Sequence, residues 1–91
     1  ILFFSCSSIS ATAGITSVDA KAVAVCREMM LHTDKKVLLC DTSKVGKTSL
    51  LRVAELDEPD YVIMDSIPDD PALVAALGDR LITRPEQLLG K

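Results

Sequence analysis

The densest group of reactive side chains is the run Asp41-Thr42-Ser43-Lys44-Val45-Gly46-Lys47. Lys44 supplies a flexible cation that can meet an anion. Ser43 can donate to an anion or stabilise the turn it sits in. Asp41 can accept from hydroxyl groups, hold Lys44 in place, or bond only its own backbone. Ser5 and Ser7 end a second apolar run, Ile1 to Phe4, and are read as lining the same pocket. A cation, hydroxyl donors and a carboxylate together can meet an anion and accept from hydroxyl groups. Other polar residues have plainer readings. Lys47 reads as solvated and Gly46 as a backbone requirement. His32 is a dipole partner near a helix end, and Asp65 is a residue that ends a strand.

Elements must hold these residues in place. Ile1 to Cys6 is an apolar run closed by serines and predicts a buried strand. Ser7 to Gly14 reads as a loop, rich in Ser, Thr and Ala. Thr16 is placed to cap a helix over Val18 to His32, with Ala22, Val25, Cys26, Met29 and Met30 at helical spacing. The Met29-Met30 pair is assigned to the core. Val37 to Cys40 is a second buried strand, and Asp41 to Lys47 is the turn after it. Leu50 to Leu56 fits a helical turn or a strand equally well. Asp57-Glu58-Pro59 breaks the chain. Tyr61 to Met64 is a third strand. Pro68 to Gly78 is a helix with Pro71 in its first turn, and Leu81 to Thr83 is a last short strand. Strands alternating with helices imply an α/β fold with a parallel sheet, whose ligands bind beyond the C-terminal strand ends.

The chain has 91 residues, 48% of them apolar and 25% charged, which limits it to one domain and argues against disorder. Net charge is −3, so this segment lacks the basic face that nucleic acid requires. No apolar run approaches the length needed to span a bilayer. Cys6, Cys26 and Cys40 lie far apart beside apolar residues. They are read as reduced core cysteines of a cytoplasmic protein, with no metal site and no disulfide framework. The opening on Ile1, inside an apolar run, is read as the start of a fragment. Ala11-Thr12-Ala13 has a faint look of a signal-peptidase site, but the strand-and-loop reading is taken over it.

Two family resemblances meet in the same stretch. VLLCDTSKVGKTSLL, Val37 to Leu51, resembles the nucleotide-binding loop of small GTPases, with Gly46, Lys47 and Thr48 in the phosphate and magnesium roles. That loop needs Gly where Asp41 stands, and a carboxylate there would face polyphosphate. It also needs a long helix afterwards, and Pro59 leaves little room for one. Read one register earlier, Val37-Leu38-Leu39 followed by Asp41-Thr42-Ser43-Lys44-Val45-Gly46 resembles the LLADSSKFG signature of the DeoR family of bacterial transcriptional regulators. Further matches keep the family's order. They are Phe3 to Cys6, Gly14-Ile15-Thr16, the helix positions Val25, Arg27 and Met29, Leu51 to Leu56, and Asp60 to Asp65.

The DeoR resemblance implies an effector domain related to ribose-5-phosphate isomerase and glucosamine-6-phosphate deaminase. Residues 1–91 correspond to a parallel-sheet, Rossmann-like half domain with flanking helices. The domain's first half and a winged helix-turn-helix lie outside it. The resemblance implies a phosphorylated sugar or related metabolite as effector. It also implies Lys44 as the first contact, with Asp41, Ser43, Ser5 and Ser7 around it, and DNA bound through the missing helix-turn-helix. No cofactor, metal or membrane is expected, and a homo-oligomer and a repressor role are implied. Ala22 and Cys26 stand where the family helix usually has Glu and Lys. No general base can be built from them, which points to a sensor and away from an isomerase. A nucleotide-binding fragment and an isomerase-like enzyme fragment are the alternatives.

Overall fold

The structure, a computed structural model, describes residues 1–90. Four parallel strands form one sheet. They are β1 (Leu2–Phe4), β4 (Lys36–Leu39), β6 (Tyr61–Ile63) and β7 (Leu81–Ile82), side by side in that order. Phe4 pairs with Leu38, Leu38 with Val62, and Val62 with Leu81. These residues point to one face and, with Leu2 and Met64, form the core. This is the α/β architecture with a parallel sheet expected from the alternating elements.

A second sheet is antiparallel, and its first strand lies in the segment 7–14, whose composition suggests a loop. β2 (Ser8–Ser10) pairs with β3 (Gly14–Ser17), and β3 pairs with β5 (Leu51–Ala54). Ala11 to Ala13 form the hairpin turn, closed by the Ala13 N–H donating to Ser10 Oγ at 2.9 Å. Each of these two strands carries a fully buried isoleucine, Ile9 and Ile15. The short polar side chains around them are buried as well, but satisfied. Thr16 Oγ1 donates to the Ser8 carbonyl and accepts from the Ser49 N–H. One large apolar residue per strand was too weak an alternation to show through the serines. The segment 51–54, ambiguous in sequence, is a strand because β3 offers it an edge to pair with.

Thr16 is therefore a strand residue, and the helix cap is Asp19. Its carboxylate accepts from the Lys21 and Ala22 N–H groups at 3.0 and 3.2 Å. Helix α1 (Ala20–Leu31) packs on β1 and β5. The Arg27 guanidinium secures it by donating to the Val53 carbonyl, with Glu58 at 3.9 Å. Helix α2 (Pro71–Leu77) is capped by Asp70 and buries Leu73 and Leu77. Two sequence expectations of burial are corrected. Met30 is core, but Met29 is 48% exposed. Strand β1 is covered on one face only, and Phe3 remains 56% exposed. The reason is shared: Phe3, Val25 and Met29 line an open apolar groove between β1 and α1.

Leu38, with no exposed surface in the middle of the parallel sheet, is expected to cost about 3 kcal/mol on truncation to Ala in urea unfolding. Leu50→Ala, at a site 87% exposed, should stay within about 0.5 kcal/mol. Equal costs at the two sites would contradict this placement of β4. Gly14 has φ +77°, and an added Cβ would sit 2.9 Å from the Ala54 carbonyl oxygen. Gly14→Ala should therefore destabilise by about 2 kcal/mol or more. An unchanged unfolding midpoint would refute that.

Candidate functional site

Parallel pairing sends the C-terminal ends of β1, β4 and β6 out along one edge. Ser5 to Ser7, Cys40 to Lys44, and Asp65 follow those ends. After β4 the chain makes a single 3-10 turn, Thr42–Lys44. Asp41 caps that turn, accepting from the Ser43 N–H at 2.9 Å and from the Ser43 hydroxyl. The Ser43 hydroxyl, then the Ser43 N–H, with help from the Lys44 and Lys47 cations, hold the Asp41 carboxyl below its ordinary value. Asp65 anchors the same turn from β6. Its carboxylate accepts from the Thr42 N–H at 2.8 Å and lies 3.4 Å from the Thr42 hydroxyl.

Lys44 sits at the end of this braced turn. Its backbone N–H closes the turn onto the Asp41 carbonyl at 3.1 Å. Lys44 as a residue is half-buried, and its ammonium makes no hydrogen bond or salt bridge among the described residues. Cys6 and Cys40 lie beside it, at the ends of β1 and β4. Their sulfur atoms are 4.0 Å apart. The Cys40 thiol and, more weakly, the Lys44 cation draw the Cys6 thiol below its ordinary value against the effect of burial. Proton sharing with Cys6, burial, and the negative charge of Asp41 push the Cys40 thiol up.

The turn thus brings together Asp41, Ser43 and Lys44, with Asp41 and Ser43 bonded to each other. Ser5 and Ser7 have other neighbours. Ser5 lines a cavity of about 30 Å³ with Ser17, Ala22, Val23, Cys26 and Val53. Ser7 Oγ lies 3.2 Å from Ser17 Oγ. Sequence reasoning missed two features here: the Asp65 anchor and the Cys6–Cys40 pair. Asp65 was visible only as a strand end, and the cysteines, 34 positions apart, meet only because β1 and β4 are neighbours.

The geometry also decides against a phosphate-binding loop. Gly46 has φ +81°, but its N–H donates to the Ile9 carbonyl at 2.9 Å and is not open to an anion. The chain then runs into strand β5, so no helix N-terminus follows the loop. Among the described residues no cluster of His, Cys, Asp and Glu could hold a metal ion, and no helix is long and apolar enough to cross a membrane.

Known proteins agree with the turn's signature. A family model, the DeoR C-terminal sensor domain, matches residues 1–66. An L-fucose operon activator of Haemophilus influenzae is 35% identical over 68 residues, which cover 74% of this chain and 27% of that protein. The chain thus spans just over a quarter of the length of this curated relative. Both similarities are to regulatory proteins, not enzymes. The matched residues include β1, the hairpin, α1 and the braced turn that holds Lys44, and the chain belongs to the DeoR C-terminal sensor domain family.

Proposed function

We propose that these residues are part of the effector-sensing domain of a cytoplasmic transcriptional repressor, and that the effector is a phosphorylated sugar or a related metabolite. The observation that supports this most directly is the Lys44 ammonium. It is unpartnered among the described residues, on a turn fixed from two sides, at the C-terminal edge of a parallel sheet. Ligands of such sheets gather at that edge. A cation whose backbone is already ordered loses less entropy when it meets an anion. The lone pairs left on the Thr42 and Ser43 hydroxyls and on the Asp41 carboxylate offer further contacts to the hydroxyls of a polyol. The relative's printed name ties it to an L-fucose operon, which agrees with a sugar-derived effector.

The mechanism is linkage. A ligand that prefers one arrangement of the protein shifts the population that binds DNA through a helix-turn-helix outside these residues. A tenfold change in operator affinity needs only about 1.4 kcal/mol of coupling. A homo-oligomer belongs to the same reading. Repression is proposed from the sequence signature, whereas the relative is named an activator. An operator–reporter fusion distinguishes the two, because deletion of a repressor raises expression and deletion of an activator lowers it.

The central test is thermal stabilisation and calorimetric binding with ribose 5-phosphate, glucosamine 6-phosphate, L-fucose, inorganic phosphate and magnesium–ATP. Stabilisation by a sugar phosphate is expected. Lys44→Ala should weaken that binding about tenfold or more, a loss of about 1.4 kcal/mol. Lys47→Ala, at an exposed site, should change it by less than about threefold. Stabilisation by magnesium–ATP alone, or equal binding by Lys44→Ala and the wild type, refutes the reading.

The pH dependence has a defined sign. The Asp41 carboxyl is held below its ordinary value of 3.8, so its cap is intact above that value and is lost only as pH falls through the depressed one. Between about pH 8 and pH 5, binding should therefore follow the ligand, weakening as the phosphate takes up its second proton near pH 6. Binding of a phosphorylated effector that stays flat across that window would exclude a dianion as the recognised form.

A further inference from the structure

We propose that Cys6 and Cys40 form a reversible dithiol–disulfide couple. The backbone places them as a pair. Phe4 and Leu38 are register partners in adjacent parallel strands, and two residues further along each chain stand Cys6 and Cys40. The Cys40 N–H donates to the Ile63 carbonyl at 3.0 Å, so β4 keeps its strand course as far as this residue. Neighbouring strands lie about 4.8 Å apart, inside the range of about 4.4–6.8 Å between Cα atoms joined by a disulfide. Both side chains pack on the inner face against the core. Their sulfur atoms, 4.0 Å apart, need only approach by about 2 Å through side-chain rotation to bond. Neither residue is sealed from solvent.

The chemistry around the pair gives each sulfur a role. The Cys40 thiol and, more weakly, the nearby Lys44 cation favour a thiolate at Cys6, the nucleophilic form. The Cys40 thiol lies 3.3 Å from the Asp41 carbonyl and keeps its proton longer. The oxidant class is a small-molecule disulfide such as oxidised glutathione. The Cys6 thiolate attacks one of its sulfurs, forms a mixed disulfide and releases one glutathione thiolate. Cys40 then gives up its proton to solvent or buffer, and its thiolate attacks the Cys6 sulfur. The Cys6–Cys40 bond forms and a second glutathione thiolate leaves. The two protein thiols are oxidised by two electrons, and the glutathione disulfide is reduced by the same two. Excess thiol reverses both steps.

Cys26, on helix α1 and outside the Cys6–Cys40 sulfur contact, serves as an internal control. The protein is equilibrated with oxidised and reduced glutathione at a series of ratios, quenched with an alkylating agent and mapped by mass spectrometry. The expected result is a Cys6–Cys40 cross-linked peptide that appears with a defined midpoint, disappears with dithiothreitol, and leaves Cys26 alkylated throughout. In Cys40→Ser the reaction should stop at a glutathione adduct on Cys6. In Cys6→Ser the adduct on Cys40 should form at least tenfold more slowly. Alkylation of both Cys6 and Cys40 at every ratio, or a bond that includes Cys26, overturns the proposal. The readout is the covalent bond itself, so its outcome does not depend on whether Lys44 binds a sugar phosphate.

Discussion

The parallel pairing of β1 with β4 is the constraint on which the rest depends. Its register sets Phe4 opposite Leu38, and Leu38 opposite Val62 across β4. Because the strands run the same way, their C-terminal ends emerge together. Every polar group of interest follows one of those ends. A slip of one residue would turn Leu38 outward and carry Cys6 away from Cys40. Burial of Leu2, Phe4, Leu38 and Val62 on one face opposes such a slip.

The antiparallel sheet completes what the parallel sheet starts. Between β4 and β5 the chain must pass from one sheet to the other. Hydrogen bonds from Gly46 to Ile9 and from Ser49 to Thr16, and the contact of the Ser49 and Ser8 hydroxyls, tie that passage down. Small hydroxyl side chains suit this seam because each can satisfy a nearby backbone group without adding bulk. The hairpin read as a loop is in this sense part of the site's support. It holds the far side of the turn whose near side is held by Asp65.

Within the turn, the residues divide their tasks. Asp41 and Ser43 bond each other and fix the backbone, which occupies much of their capacity for a ligand. Lys44 is left as the cation without a partner among the described residues, close to a cysteine pair that senses its charge. The Gly46 amide, spent on Ile9, shows why a run of letters shared with a nucleotide-binding loop does not make one. Such a loop works through free amides at the start of a helix, and the next element here is a strand.

The strands β1, β4 and β6, both helices, and the turn from Asp41 to Lys44 were legible in the sequence. Their signals are local: apolar runs, a proline in a first turn, and polar residues that stop a strand. The helix cap is misplaced at Thr16 in the sequence because Thr16 and Asp19 are both capping types, and only pairing with β2 and β5 claims Thr16 for a strand. The β2–β3 hairpin was hidden because Ile9 and Ile15 are single apolar residues among serines and threonines, and their burial depends on a partner sheet. The open faces of Phe3 and Met29 could not be read from residue type, since an apolar side chain looks the same whether or not something covers it. The Asp65 anchor and the meeting of Cys6 with Cys40 were decided by tertiary structure alone. Residues so distant in the chain become neighbours only when strand order and register are set.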